Sequence, residues 1–310
     1  MGRAFGTALR DRPLVFEPVP PGARASPARS EAHLRELVDL VQGLPRIDAV
    51  NIPELVDENH DGRPYYRSGD PRRFARELVD RTGAEIIVNK VVAHMASGRA
   101  LETWARETID RGIRHLVLVG GSSRYIPYPG PSVAEANRVC RPILDGANGH
   151  LGNIAIPQRT GEPHRMVLKI RSGATFFTTQ IVFDAEAAVR MVREYGRLCG
   201  ESGIDPAPVL LSVAPIADDG DAQFVRWLGA DISDAAERAI LNGDDAGAGA
   251  RSIDRALSVW RTVRDATPPT GPRVPLGLNV EQISQRHLGI AGEMVRAFAK
   301  ELGSTRPTAA

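Results

Sequence analysis

Apolar and polar residues alternate along this chain on two length scales. Short apolar runs rich in β-branched residues recur, and each is followed by a longer stretch in which apolar residues return at helical spacing. The runs are candidate strands over residues 14–19, 49–54, 85–92, 115–121, 151–157, 176–183, 208–216 and 273–280. Because each strand candidate precedes a helix candidate, the pattern predicts βα units around a parallel sheet.

The helix candidates lie at residues 30–42, 71–81, 98–111, 132–144, 162–172, 184–201, 219–228, 251–265 and 281–302, with an additional one at 233–242. So many alternations without a Pro/Ser-rich linker favour one closed barrel over a doubly wound open sheet, which is the alternative. The predicted fold class is therefore α/β, a single-domain (β/α)8 TIM barrel. We expect the barrel over residues 13–303, a flexible N-terminus at 1–12 and a flexible tail at 304–310.

Composition and charge argue against several classes of function. The chain is 42% hydrophobic and 25% charged, as in an average globular protein, and 39 basic against 38 acidic residues give a net charge of +1. Without a basic block or an apolar stretch of roughly 18 residues, we expect no nucleic-acid or membrane partner and a cytoplasmic location. Cys140 and Cys199 form no CxxC motif and the histidines lack zinc spacing, so we predict structural thiols and no metal.

In (β/α)8 barrels the catalytic and ligand-binding residues lie at the carboxyl ends of the strands. The first predicted strand ends near Glu17, between Phe16 and Pro18, where loss of water would raise the pKa of the carboxyl group towards that of a general acid. The second ends near Asn51 and Glu54, which adds another carboxylate at the same end of the barrel. Either glutamate could instead be a solvated residue at a strand end, and the sequence leaves this open.

Two further strand ends offer contacts to a ligand. Gly120, Gly121 and Ser122 follow strand four in a loop whose backbone N–H groups could approach a phosphate, although a plain turn fits equally well. Gln180 interrupts the apolar run of strand six, and its amide offers a donor and an acceptor to a pterin or a nicotinamide. A glutamine that is satisfied within the protein is the alternative.

Two of these segments resemble a known family. Residues 16–21, FEPVPP, resemble the FEFFPP segment of the methylenetetrahydrofolate reductases. Residues 172–186, SGATFFTTQIVFDAE, resemble the AGA-x3-TQ-FFD-x-E segment of the same family. The second segment is long and specific, and the resemblance spans the chain from about residue 13 to about residue 300.

The resemblance implies a function as well as a fold. The family reduces 5,10-methylenetetrahydrofolate to 5-methyltetrahydrofolate on a (β/α)8 barrel, with the glutamate of the first segment as the catalytic acid and the glutamine of the second at the pterin. By this resemblance Glu17 is the acid and Gln180 contacts the pterin. We assign Glu54 as a helper of the acid, and Asn51 and Phe176 to folate binding.

The chain departs from the family where flavin would bind. The family's Arg-Gly-Asp after strand four corresponds to residues 120–122, Gly-Gly-Ser, its Tyr-Pro-Glu to residues 156–158, Ile-Pro-Gln, and its strand-three His to Asn89. This pattern resembles the flavin-independent members known from mycobacteria, in which reduced nicotinamide gives its hydride directly to the folate. We therefore expect NADH or NADPH and no FAD, with cofactor contacts from Gly120, Gly121, Ser122, Asn89 and Ile156.

Two other functions stay open beside this one. The first is an FAD-dependent reductase of the same family, and the second is a folate-binding barrel without turnover. The sequence does not decide between NADH and NADPH as the hydride donor. It does not give the oligomeric state either, so a homo-oligomer is left open.

Overall fold

Eight parallel strands close into a barrel in the computed structural model, which describes residues 4–123, 125–243, 245–266 and 273–303. The strands in chain order are β1 (Leu14–Glu17), β2 (Ala49–Ile52), β3 (Val56–Glu58), β4 (Pro64–Tyr66), β5 (Ile86–Val91), β6 (His115–Val119), β7 (His150–Ala155), β8 (Phe176–Thr179), β9 (Val209–Val213) and β10 (Leu276–Glu281). The barrel runs β1-β10-β9-β8-β7-β6-β5-β2, while β3 and β4 form a separate antiparallel hairpin. The predicted single-domain (β/α)8 barrel is confirmed.

The helices are α1 (Phe5–Ala8), α2 (Pro27–Gly43), α3 (Pro71–Thr82), α4 (Gly98–Asp110), α5 (Val133–Asp145), α6 (Glu162–Arg171), α7 (Ala185–Glu201), α8 (Asp219–Trp227), α9 (Asp234–Leu241), α10 (Asp245–Asp265) and α11 (Leu288–Leu302). Helix α9 confirms the additional helix expected between the last two barrel strands. Within the described ranges, no helix combines the length and the apolar character that crossing a membrane requires. Cys140 and Cys199 are buried and unpaired, as expected of structural thiols.

Several strands end earlier than the apolar runs that predict them. The run over residues 176–183 forms a strand only as far as Thr179, and Ile181 and Phe183 then pack with Val225 and Ile240 in a second apolar cluster. This cluster joins α8 and α9 to the barrel. The apolar run continues because its last residues are buried between helices rather than in the sheet.

The N-terminal segment differs from the expectation of a flexible chain. Residues 5–8 form a short helix, and the Phe5 side chain is fully buried with its ring centroid 4.9 Å from that of His115 and 5.6 Å from that of Phe176. Phe5 and Leu9 belong to the apolar cluster that includes Val15 and the inward side chains of the barrel strands. The prediction for residues 1–12 is therefore corrected for 4–12, while 1–3 and the tail 304–310 lie outside the described residues.

Replacement of Phe5 by alanine should destabilise the whole barrel. Removal of a fully buried phenylalanine leaves a cavity, and such changes typically lower the free energy of unfolding by about 3–5 kcal/mol. Urea denaturation followed by circular dichroism measures the change. The control is Leu168→Ala, because Leu168 is 59% exposed and surface changes usually stay within about 0.5 kcal/mol. Equal stability of the two variants would show that Phe5 does not contribute to the core.

Candidate functional site

A cavity of about 850 Å³ opens at the carboxyl ends of the barrel strands. Glu17, Thr179 and Glu281 come from strand ends, and Trp227 and Leu168 are exposed side chains of the surrounding loops and helices. The volume lies within the roughly 300–1,000 Å³ common for sites that bind small molecules. The location is the one that (β/α)8 barrels use for catalysis.

Glu17 lies at the barrel end of this cavity. Its Oε2 atom accepts hydrogen bonds from Asn51 Nδ2 at 2.6 Å and from Asn279 Nδ2 at 2.8 Å. Burial raises the pKa of Glu17 to about 7, against the two asparagine hydrogen bonds, which favour the charged form. A carboxyl group with this pKa holds a proton that it can donate near neutral pH.

Glu281, at the end of β10, was missed in the sequence. It is the register partner of Glu17 across β1 and β10, and it lines the same cavity. Its pKa is raised well above the usual value, first by burial and then by the negative charge of Glu17. The signal was available, since a glutamate ends an apolar run here as it does at Glu17, but we placed residue 281 at the start of a helix.

Asn51 and Phe176 do not line the cavity, so their assignment to folate binding is corrected. Asn51 is fully buried and orients Glu17 through its amide. Phe176 begins β8 and packs on Phe5 inside the barrel, two residues before Thr178, which reaches the cavity. A strand advances about 3.3 Å per residue, so Phe176 lies too deep to reach a ligand.

Glu54 is likewise not part of the cavity lining. Its Oε1 lies 2.6 Å from Lys90 Nζ, and its Oε2 accepts the backbone N–H of Val91 at 2.8 Å. Both oxygens therefore have partners in the protein. The structure shows Glu54 as the ion-pair partner of Lys90, and its assignment as a helper to the acid stays a prediction.

Gln180 lines the cavity, but the protein already satisfies much of its amide. Its Nε2 donates to the carbonyl oxygen of Leu228 at 2.8 Å, and its Oε1 accepts the N–H of Ile181 at 3.0 Å. These two bonds are the ones expected of the alternative interpretation, in which the Gln180 amide is satisfied within the protein. The second lone pair of Oε1 and the second N–H of the amide are the groups left for a ligand.

The residues assigned to the cofactor, Gly120, Gly121, Ser122, Asn89 and Ile156, all line the cavity. Asn89 Oδ1 is buried and has no hydrogen-bond donor among the residues that the structure describes. This oxygen atom has almost no exposed surface, so a ligand N–H group could reach it only if neighbouring side chains moved.

The loop after β6 is less open to phosphate than its glycines indicate. The N–H groups of Ser122 and Ser123 point to Glu58 Oε1 at 3.4 Å and to Tyr128 Oη at 3.2 Å, and a Cβ atom at Gly121 would overlap the Tyr128 ring. Arg124, in the same predicted loop, lies outside the described residues. The backbone donors thus already have protein acceptors, one of them a carboxylate.

Glu58, like Glu281, is a carboxylate of the cavity that the sequence analysis missed. Its Oε2 accepts hydrogen bonds from Ser122 Oγ and Tyr128 Oη, both at 2.6 Å, and its Oε1 lies 2.9 Å from His94 Nε2. Burial alone would raise the pKa of Glu58, but these hydrogen bonds and His94 outweigh it and lower the pKa. Glu58 is therefore an anion at neutral pH, in contrast to Glu17.

Three basic side chains line the cavity near α6, and they share one carboxylate. The fully buried Glu162 lies 2.8 Å from Lys169 Nζ, 3.4 Å from an Arg159 nitrogen and 4.0 Å from Arg165 Nε. Burial lowers the pKa of Lys169, although Glu162 acts in the opposite direction. One carboxylate beside three basic groups leaves this side of the cavity suited to an anion.

A group of possible metal ligands, Asp218, Asp221 and His287, lies outside the cavity lining. Asp221 Oδ2 accepts the N–H of Ala217 at 2.9 Å and lies 2.8 Å from His287 Nε2. Arg286 lies within 3.6 Å of both aspartates. Because these groups already bind each other and a guanidinium group, we assign no metal to them.

Comparison with known proteins adds a structural relative but no family. No protein-family model matches the chain, and no curated protein matches it either. A solved structure described as an uncharacterized protein from Clostridium thermocellum that binds two copies of 5-methyl-5,6,7,8-tetrahydrofolic acid superimposes with a TM-score of 0.74. The sequence identity is 18%, over 94% of this chain and 97% of the other. At this identity the match supports the fold.

Proposed function

We propose that this protein reduces 5,10-methylenetetrahydrofolate to 5-methyltetrahydrofolate by direct hydride transfer from NADH or NADPH, without flavin. The observation that carries the proposal is Glu17, a carboxyl group with a pKa of about 7 that faces an 850 Å³ cavity at the catalytic end of the barrel. The folate bound by the Clostridium thermocellum protein of the same fold supports this choice of substrate. The two sequence segments that resemble the reductase family contain Glu17 and Gln180.

The cavity offers separate surfaces for the two reactants. Gln180, which directly follows β8, lines the cavity and has amide capacity left for the pterin. Asn89 lines the cavity, and its side-chain amide is of the kind that pairs with the carboxamide of a nicotinamide ring. Arg159, Arg165 and Lys169 suit the phosphates of a dinucleotide or the carboxylates of the folate tail.

The reaction requires an acid before the hydride can be accepted. The methylene carbon is bridged between N5 and N10 of the folate, and it accepts hydride only after the ring opens to an N5-iminium cation. Protonation at N10 opens the ring, and we assign the delivery of that proton to Glu17. Reduced nicotinamide supplies the hydride, and the barrel holds both reactants in contact, which contributes much of the rate.

The FAD-dependent alternative is less favoured by the residues at the end of β6. The acidic residue of the flavin-binding members is replaced by Ser122, whose hydroxyl donates to Glu58. Tyr128 packs over Gly121 and fills the space beside this loop. A folate-binding barrel without turnover is the other alternative, and the raised pKa of Glu17 argues against it, because binding alone does not require a carboxyl group that keeps a proton up to about pH 7.

Anaerobic oxidation of NADH or NADPH by 5,10-methylenetetrahydrofolate, with and without added FAD, tests the proposal. The visible spectrum of the purified protein is recorded first. We expect a colourless protein whose turnover does not change on addition of FAD. A stoichiometric flavin absorbance would favour the FAD-dependent enzyme. Folate binding without oxidation of either nicotinamide would favour the binding protein.

Replacement of Gln180 by alanine should weaken folate binding more than nicotinamide binding. Loss of a buried amide partner typically costs about 1–3 kcal/mol, or roughly 5- to 150-fold in affinity. Quenching of Trp227 can report binding, because Trp227 lines the cavity and is 61% exposed, whereas Trp104 and Trp260 are buried.

The matched control for this measurement is Gln42→Ala. The Gln42 amide also donates to a backbone carbonyl, that of Arg81 at 3.0 Å, and Gln42 is not among the residues that line the cavity. Unchanged folate affinity in the Gln180 variant would show that Gln180 serves only the protein's own hydrogen bonds.

A further inference from the structure

Glu17 and Glu281 form a pair of carboxyl groups at the end of the cavity. They end neighbouring parallel strands in register, and both lie beside the amide of Asn279. Asn279 Nδ2 lies 2.8 Å from Glu17 Oε2 and 3.3 Å from Glu281 Oε1. Two like charges that share a poorly solvated site cannot both form at low cost, so such pairs keep a proton.

The hydrogen-bond donors around the pair indicate which carboxyl group keeps the proton. Glu17 Oε2 receives two short N–H bonds, from Asn51 and Asn279. Glu281 has the longer contact to Asn279 and a hydrogen bond with Ser212. Because N–H donors stabilise the charged form, the first negative charge of the pair belongs on Glu17 and the remaining proton on Glu281.

One further observation agrees with a proton in the pair. The pKa values of both groups are raised, and the charge of Glu17 is one of the causes for Glu281.

We propose that Glu281 is the proton-holding partner of Glu17, so that the pair keeps one proton on Glu281 after Glu17 has given its own to a ligand. This role rests on the proposed function only in naming the folate N10 as the acceptor. In the transfer, the O–H bond of Glu17 breaks and an N–H bond forms on the ligand, while the O–H bond of Glu281 is retained. The charge of the pair changes from zero to minus one rather than from minus one to minus two.

The arrangement has a consequence for the ligand. After transfer, the pair carries a single negative charge beside the cation that forms when the folate ring opens. Two residues of β2 and β9 form hydrogen bonds with the pair, Asn51 with Glu17 and Ser212 with Glu281, and neither side chain titrates. Glu281 is thus a positioning residue that limits the charge of the site, and Glu17 is the catalytic residue.

A pH titration of 13C-labelled glutamate carboxyl carbons by NMR tests the pair without any substrate. The proteins compared are the wild type, Glu17→Gln, Glu281→Gln and the surface control Glu186→Gln. In Glu17→Gln the titration of Glu281 should move to lower pH by about one unit or more, the separation that marks coupled sites, because its charged neighbour is gone. In Glu281→Gln the titration of Glu17 should stay near that of the wild type, since glutamine is neutral like the protonated Glu281.

The opposite asymmetry would overturn the proposal, because it would place the proton on Glu17 and the charge on Glu281. Titrations that are the same in all four proteins would also overturn it, because they would show that the two groups do not interact. The same asymmetry should appear in the alkaline limb of kcat/KM, which Glu281→Gln should leave at the wild-type pH. If the wild type turns over no folate, the proposed function fails while the NMR titration still decides the role of Glu281.

Discussion

Glu17→Gln should retain its fold and its affinity for folate while losing about 10²–10⁴-fold in kcat, the range that a general acid typically contributes. Glutamine has the size of glutamate and keeps a carbonyl oxygen that can accept the N–H bonds of Asn51 and Asn279. It has no acidic proton to give. Because the lost interaction exists only in the transition state, kcat and kcat/KM should fall together while folate affinity holds.

Three measurements separate this outcome from simple damage to the protein. Trp227 fluorescence should report unchanged folate binding, and circular dichroism an unchanged fold. Thermal unfolding above about pH 7 should occur at a temperature no lower than in the wild type. The pKa of Glu17 is raised in the folded protein, so its ionisation costs stability as pH rises through about 7, and glutamine removes that cost.

The control is Glu186→Gln, which changes an exposed carboxylate on α7 that pairs with Arg190. Its kcat should match the wild type. A Glu17→Gln enzyme with near wild-type kcat would exclude Glu17 as the proton donor and direct attention to Glu281, the other cavity carboxyl group with a raised pKa.

The barrel and the position of Glu17 at a strand end could be predicted because both depend on local sequence. Eight apolar runs, each followed by a helical period, are what a parallel barrel requires, and Pro18 after Glu17 marks a strand end. Local sequence does not show how far a strand residue lies from the cavity. Phe176 and Thr178 belong to the same strand, but only Thr178 reaches the cavity, and the position of the cavity depends on the neighbouring strands.

Glu281, Glu58 and Lys169 were not predicted as cavity residues, because their positions depend on contacts between distant parts of the chain. Glu281 stands where a strand end and a helix start have the same sequence pattern, and its importance comes from its register with Glu17 across the closing strands of the barrel. Glu58 lies on a hairpin inserted after β2, and Lys169 on a helix where a charged residue is usually solvated. Pairings between residues far apart in the chain decide these roles.

Activity of the wild type should decline as pH rises, because Glu17 must carry a proton to act. Its pKa is raised from the usual value to about 7, so the active form predominates below that pH and is lost above it. For a single acid, kcat/KM should fall roughly tenfold for each pH unit beyond the limb. The pH at which kcat/KM begins to fall reports the pKa of Glu17 in the free enzyme. Bound folate excludes further water from Glu17 and should raise its pKa, so kcat should begin to fall at a higher pH than kcat/KM.

Steady-state rates over a range of pH, at saturating and at low folate, measure both limbs. Glu17→Gln serves as the control, and its residual activity should not show the same decline, because the group that titrates has been removed. Glu58 has a lowered pKa and stays ionised across this range, so it cannot produce the limb. A limb that persists unchanged in Glu17→Gln would assign it to another group and would remove the evidence that the raised pKa of Glu17 serves catalysis.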